Sequence, residues 1–543
     1  MSTTTEQSQD DFMPPFARAI APYWVLGFVL LATYINIFGN GFLFDDNLLI
    51  ELNTYLRDWG HIGTILTSST TDGAHIVGGF YRPVQMLIYL VLYQLGNGST
   101  FLFHLLNLLL HIANTCFVYR LGTKLGFNSW AVFFAALVWG LHPLHTEAVT
   151  YMSATADPLF AFFCLWAMIV LLPDFTPRKI LKIFPLFLLA LCTKETTVMF
   201  PLLVMSGLFL THPKRLDIRT YFRTWPLWVV SLAYVYWRIH APGFDGPQTY
   251  THDYGMNEYA HLKIYADHPI YRIYTFLATL PLYLQLLVDP TGLHMERSFL
   301  VFAAMTGQVA AGLSLVLLAA AQIAYTCRRP PHGLPLSWGL LWFAGAHAPD
   351  TGILITMNSL FLEHWMYLPS VGLFLGIAQT IAKFLQDKPP AYARAASAAA
   401  LIFAGTLCVK TYDQNKIWHD PESFYTNIFS YGEASARARN NLALYYSDHG
   451  QYDKAIEQFN EAIKISDIYA ETRFNLALTY LHMPNQSAHT DEAIANLKRS
   501  LEIDPNFYRS YNVLGDIYET ILHDPANAAI YHARGKELLN SQR

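Results

Sequence analysis

Eleven apolar runs, at about 22–40, 100–122, 128–142, 155–173, 180–193, 196–211, 223–240, 300–326, 335–356, 366–384 and 394–411, fill most of the first three quarters of the chain. In lipid every backbone amide must be hydrogen-bonded within its own segment, so such runs fold as spanning helices or as helices buried among them. Only 14% of the residues are charged, whereas a soluble domain carries about 25%. The chain is therefore read as a polytopic membrane protein. Its net charge of −5 and lack of a basic patch argue against a nucleic-acid partner. The first run lacks a small-residue cleavage site and is read as an uncleaved span. The five cysteines lie in or beside apolar runs with no CxxC spacing, so no disulfide framework is expected.

Positive clusters at Arg120/Lys124, Arg178/Lys179/Lys182, Lys214–Arg223, Arg328/Arg329 and Lys383–Arg394 mark the cytoplasmic ends. Parity between them sets aside two further apolar runs. Run 271–288 carries Pro281 and becomes an interfacial helix, and 83–95 is likewise non-spanning. Eleven spans remain in a membrane domain over 1–411, with a cytoplasmic N-terminus and large external loops at 41–99 and 240–299.

This topology gathers the unusual polar residues on one face. Loop 41–99 begins Gly41-Phe-Leu-Phe-Asp45-Asp46 and later holds Tyr81-Arg82-Pro83. The turn near 194 reads Cys192-Thr-Lys194-Glu195, and loop 356–365 supplies Glu363-His364-Trp365. The densest stretch is Leu141-His-Pro-Leu-His-Thr-Glu-Ala-Val149, followed by Thr155-Ala-Asp157. It sets His142, His145, Glu147 and Asp157 between apolar runs, and ionisable groups at membrane depth are costly unless they serve a site. The competing reading is a polar hairpin that caps two helices, with Pro143 at a first helical position. His104, Asn107 and His111 share one face of the second span and are read as ties between helices.

Residues 412–543 hold 18 of the 40 acidic and 12 of the 35 basic side chains, which marks a separate soluble domain. Asn441-Leu-Ala443 recurs as Asn475-Leu-Ala477, and then as Asn512-Val-Leu514-Gly515 after an insertion. Ala455-Ile456 recurs as Ala493-Ile494. A period of 34 with small residues at helix crossings is the tetratricopeptide pattern, here about three repeats over 433–543.

The succession Phe44-Asp45-Asp46, Tyr81-Arg82-Pro83, His104…Asn107…His111, His142-Pro-x-His145-Thr-Glu147-Ala-Val, Ala156-Asp157, Lys194-Glu195 and Tyr367-Leu-Pro-Ser370, then the repeats, resembles one family over nearly the whole chain. It is similar to the transmembrane and tetratricopeptide-repeat-containing O-mannosyltransferases and their bacterial relatives, within the polyprenyl-phosphate-sugar-dependent glycosyltransferases. The resemblance implies an all-α, GT-C-like bundle followed by an α-solenoid. It also implies a lipid-linked sugar donor and a catalytic acidic residue in the first external loop. The chain departs from the family at His364, where arginine is usual, and in the shortness of its repeat array.

On that reading the enzyme removes a proton from the acceptor hydroxyl and stabilises the departing phosphate. Asp45 or Asp46 suits the first task, although Asp45-Asp46-Asn47 could equally cap a helix. Arg82 and Lys194 are candidates for the phosphate, with snorkelling to the interface as the alternative for Arg82. His142, His145 and Glu147 are residue types that could hold a divalent metal, although their spacing is not HExxH, and His145 could equally bond substrate or phosphate. Asp157, Glu195, Glu363 and His364 complete the candidate donor- and substrate-binding set. The acceptor would be a hydroxyl, expected on Ser or Thr of a protein, with the repeats recruiting acceptor or partner. No other cofactor is expected. The expected compartment is a bacterial inner membrane with periplasmic repeats, or else the endoplasmic reticulum with lumenal ones. A transporter or flippase would place polar groups at the midplane and show two-fold repeats. A mere membrane anchor for a tetratricopeptide scaffold needs neither eleven spans nor an acidic cluster.

Overall fold

The computed structural model describes residues 15–76, 79–212, 217–241, 265, 267–295, 297, 301–328, 333–355, 359–432, 435–484 and 486–541. Residues 242–264 of loop 240–299, with Lys214, Arg215 and Arg329 of the positive clusters, lie outside the described residues. Among those described there is no strand. Among the described residues the chain divides into two units, the larger running to His419 and including Ile270–Leu293, the other made chiefly of the residues from Asp420 onward.

The first unit contains α1 (Pro15–Tyr34), α2 (Pro83–Gly96), α3 (Thr100–Lys124), α4 (Ser129–Gly140), α5 (Ala156–Leu171), α6 (Pro177–Leu191), α7 (Phe200–Thr211), α8 (Trp225–His240), α9 (Pro269–Val288), α10 (Gly307–Arg328), α11 (Leu334–His347), α12 (Pro369–Leu385) and α13 (Pro390–Ile417). Each of the eleven apolar runs coincides with one of these helices, and the two runs set aside form α2 and α9. Among the described residues five stretches are long and apolar enough to cross a membrane: Ile20–Gly39, Thr100–Lys124, Met152–Leu171, Gly307–Arg328 and Pro390–Ile417. The helices of the other six runs are shorter. The 12 residues of α4 rise only about 18 Å, against a hydrocarbon core of about 30 Å. Boundaries move for local reasons. The run at 335–356 ends as helix at His347, where Ala348–Thr351 tightens into a 3-10 turn before Gly352 at φ 69°. Asp350 is thereby outside the helix.

Small residues allow close crossings in this unit. A Cβ at Gly376 of α12 would stand 2.6 Å from the carbonyl oxygen of Pro335 at the start of α11, so only glycine lets the two backbones meet there. Two buried tryptophans are satisfied at their ring nitrogens. Trp139 Nε1–H donates to Ser370 Oγ (3.0 Å) and Trp342 Nε1–H to the Leu368 carbonyl (3.0 Å). The polar face of α3 ties helices, as read from the sequence. His111 Nε2 lies 2.8 Å from the Gly140 carbonyl, which can only accept, so Nδ1 takes the Tyr367 hydroxyl proton at 2.8 Å. Asn114 Nδ2–H donates to the Pro158 carbonyl (2.8 Å), and Thr155 Oγ1–H to Asn107 Oδ1 (2.7 Å).

The second unit is built from α14 (Pro421–Ser430) and six further helices, α15 (Ala436–Asp448), α16 (Tyr452–Ile465), α17 (Ala470–His482), α18 (Thr490–Ile503), α19 (Tyr508–Thr520) and α20 (Pro525–Ser541). They pair as three hairpins, α15 with α16, α17 with α18 and α19 with α20. The repeated small residues Ala443, Ala455, Ala477 and Ala493 are fully buried at the crossings. In the third hairpin Gly515 replaces alanine and takes the ring of His532. Asn475 Nδ2–H reaches Asn440 Oδ1 (3.2 Å) from hairpin to hairpin.

Candidate functional site

Residues 142–158 organise the site, because nearly every polar group there holds a different segment. Pro143–His145 is a 3-10 turn, Thr146–Thr150 one helical turn and Met152–Thr155 a second 3-10 turn. Short, irregular turns leave donors and acceptors without helical partners, and these reach outward.

The acidic pair is bound at the far end of this stretch. Ser153 donates both its backbone N–H (2.7 Å) and its hydroxyl (2.5 Å) to Asp46 Oδ1, and the Leu43 N–H donates to Oδ2 (3.0 Å). Burial pushes the Asp46 carboxyl up to about 7, against the pull of these three donors. Asp45 differs. It is half-buried, and its own backbone N–H donates to the Tyr151 hydroxyl at 3.0 Å. Phe44, immediately before it, sits in the left-handed region at φ 51°, a strained conformation for a bulky residue. The backbone turns there because both following residues are pinned to 151–153. Gln85 Nε2–H to the Ser153 carbonyl (3.0 Å) and Tyr89 Oη–H to the Met152 carbonyl (2.5 Å) fix the same turn from α2.

Three charge pairs follow. Lys194 Nζ lies 2.6 Å from Asp157 Oδ1, and both side chains are only 6% exposed. Arg82 grips Glu195 with both arms, Nε to Oε2 at 3.1 Å and Nη2 to Oε1 at 2.6 Å. Burial alone would raise the Glu195 carboxyl, but the guanidinium and its hydrogen bonds hold it down at about 2. Glu147 receives two bonds from His364, from Nδ1 (2.9 Å) and from the backbone N–H (3.0 Å). Burial pulls the His364 pKa down, but Glu147, Asp157 and the Glu147 hydrogen bond outweigh it and hold the pKa above the ordinary value. Glu363 is buried beside it.

The suggested metal trio is corrected by this geometry. Among the described residues no three His, Cys, Asp or Glu side chains converge as a metal group. His142 Nε2 faces the Leu287 carbonyl at 3.1 Å and so carries the proton, while Nδ1 accepts the Leu144 N–H at 3.3 Å. Both of its nitrogens are used, and Glu147 is occupied by His364. His145 is fully buried and makes no hydrogen bond at either nitrogen, boxed by the rings of Trp139 (4.9 Å between centroids) and Tyr367 (5.1 Å). The residues present do not fit a metal.

Sequence reasoning missed Tyr151, Ser153 and Asp350. The first two look ordinary in sequence and matter only through the backbone turns that aim them. Asp350 did carry a signal, as an acidic residue at the end of an apolar run.

A family model described as TPR repeat matches residues 443–483. The chain is 24% identical to a Caenorhabditis elegans protein O-mannosyl-transferase over 81% of its own length and 62% of the relative's. It is 23% identical to the Drosophila melanogaster protein O-mannosyl-transferase Tmtc3, over 86% of this chain and 57% of that one. A mouse relative, protein O-mannosyl-transferase TMTC2, is 33% identical over 26% of this chain and 17% of its own. The chain thus spans about 60% of the length of the first two relatives. No solved structure matches it. With a multi-pass helical membrane part, a tetratricopeptide unit and similarity running through both, the chain is a homologue of the transmembrane and tetratricopeptide-repeat-containing protein O-mannosyltransferases.

Proposed function

We propose that the chain is a membrane glycosyltransferase that moves mannose or another hexose from a polyprenyl-phosphate donor to a hydroxyl, on Ser or Thr of a protein, at the external face of a membrane it crosses eleven times. The observation that carries this reading is the division of labour in the acidic pair. Asp46 is buried under three donors and acts as an anchor, and its half-buried neighbour Asp45 is set on the Tyr151 hydroxyl through its backbone N–H.

In the reaction the acceptor oxygen bonds to the sugar's anomeric carbon as the bond from that carbon to the phosphate oxygen breaks. Asp45 takes the hydroxyl proton, and the electron pair leaves with the polyprenyl phosphate. A carboxylate positioned for this step contributes about 10²–10⁴-fold. Arg82 and Lys194 are the cations of the site, each held by a carboxylate. The donor phosphate competes with Glu195 and Asp157 for them, so their charges enter the site already oriented. The repeats recruit the acceptor or a partner protein, and membrane lipid surrounds the rest.

The test is to supply purified protein in detergent with polyprenyl-phosphate mannose and a Ser/Thr-containing peptide. Release of polyprenyl phosphate with a glycosylated peptide is expected. A transporter or a scaffold would leave the donor intact. The sidedness is checked separately. A cysteine placed at Ala488 should react with a membrane-impermeant reagent in intact cells or spheroplasts when the compartment is a bacterial periplasm. It should be protected until the vesicles are opened when the compartment is the lumen of the endoplasmic reticulum.

A further inference from the structure

We propose that Asp350 is a further substrate-contacting residue of this site, a carboxyl group held neutral that donates a hydrogen bond to an oxygen of the donor's phosphate beside Lys194. The inference rests on the reading of the donor given above.

Asp350 lies in the 3-10 turn Ala348–Thr351, which packs against the turn Glu195–Met199 directly after Lys194. Its side chain is only 8% exposed, and Oδ1 is buried with no hydrogen-bond partner. A carboxylate in that position would be desolvated without compensation, so the group neutralises instead. The cations within reach are already committed, Lys194 to Asp157 and Arg82 to Glu195. The groups that act on it electrostatically are Lys194 and Glu195 on one turn, Asp157 on α5, His364 on the turn before α12 and the Tyr283 hydroxyl on α9. His347, at the end of α11 just before this turn, is buried with Nδ1 unpartnered. Asp157 and Glu195 against Lys194 and His364 leave no net positive charge to hold a third ionised carboxylate. Burial accordingly pushes the Asp350 carboxyl up to about 7.

A neutral carboxyl suits a site for a phosphate ester. It offers an O–H donor and adds no negative charge, whereas its ionised form would both lose the donor and repel the phosphate. An unsatisfied buried oxygen also costs stability, and a ligand in hydrogen-bond reach removes that cost.

The experiment measures binding of polyprenyl phosphate itself to the full-length protein in detergent, for the wild type, Asp350→Asn and Asp350→Ala, at about pH 6 and about pH 9. The wild type should weaken about tenfold or more between the two, as expected when a donor is exchanged for a charge facing the phosphate. Asp350→Asn, which keeps a neutral donor at both values, should lose most of the wild type's pH dependence. Asp350→Ala should bind weakly at both. An Asn variant that retains the wild-type pH dependence, or an Ala variant that binds as tightly as wild type at pH 6, overturns the proposal. Infrared difference spectra of wild type against Asp350→Asn give a readout without ligand. A protonated carboxyl band assigned to Asp350 is expected at pH 6 and not at pH 9, and its absence at pH 6 overturns the proposal even if the variants are unstable. Donor turnover is scored apart from these measurements. Intact binding behaviour with no sugar transfer would sink the transferase reading and leave Asp350 as a phosphate contact.

Discussion

Ser153 holds one oxygen of Asp46 from two sides, with its backbone N–H at 2.7 Å and its hydroxyl at 2.5 Å. This single attachment separates two carboxylates that are adjacent in sequence. The one that is held is almost fully buried and already accepts three hydrogen bonds, which leaves little room for an incoming hydroxyl. The next residue back is half-buried, with its backbone N–H on the Tyr151 hydroxyl, and is the candidate for chemistry.

The two asparagine variants should therefore fail differently. Asp45→Asn is expected to lose about 10²–10⁴-fold in turnover with donor binding and melting temperature nearly unchanged. Asp46→Asn sets an amide N–H against one of the donors it now accepts from, so a loss of about 1–3 kcal/mol in stability is expected. Turnover and thermal melting measured on both purified variants decide it. Near-normal turnover in Asp45→Asn would move the base elsewhere.

The Lys194–Asp157 pair is buried deeply enough for desolvation to dominate. Removing one partner strands the other, which typically costs about 3–5 kcal/mol, whereas removing both with apolar groups of similar volume is often near neutral. Lys194→Met and Asp157→Leu should each melt well below wild type, and the double variant should recover much of that loss. Additive losses in the double variant would show that the two side chains are stabilised separately.

His364 should make the stability of this loop depend on pH. Glu147 and Asp157 hold its pKa above the ordinary value against the pull of burial, so the folded protein binds the proton more tightly than the unfolded chain does. The contribution is full below the unfolded value of about 6.5 and fades as pH rises through the folded value. Comparing melting temperatures of wild type and His364→Gln from about pH 6 to about pH 9 should give a gap that narrows with rising pH. A gap that widens would reverse the sign and remove the charged pair from the account.

How far the sequence could be read follows from what each feature depends on. Apolar runs and the 34-residue period are local, so all eleven helices and the three repeat hairpins were visible in it. The gathering of Asp45, Arg82, Glu147, Asp157, Lys194 and His364 was legible only as a face, through the positive clusters. Their pairing was not, since whether Arg82 meets Glu195 or a phosphate depends on where a turn 113 residues away is carried. The metal trio failed for a similar reason. Residue type alone suggested ligands, but a histidine whose ring is spent on backbone groups, as that of His142 is, is not one.

His142 supplies the last test, because its partner is the end of a helix. The carbonyls of a final helical turn have no partner within the helix. At the end of α9 the Leu287 carbonyl takes its proton from His142 Nε2, while Lys410 pairs with Asp289 just beyond. Burial lowers the His142 pKa to about 4, so the ring is neutral and acts through its one N–H. His142→Leu should leave that carbonyl and the Leu144 N–H without partners, at a cost of about 1–3 kcal/mol felt locally. Amides in residues 283–289 should then exchange hydrogen faster than in wild type. Binding of polyprenyl phosphate should weaken no more than this loosening accounts for. If donor binding were lost while exchange over 283–289 stayed at the wild-type rate, His142 would be touching the donor rather than securing α9.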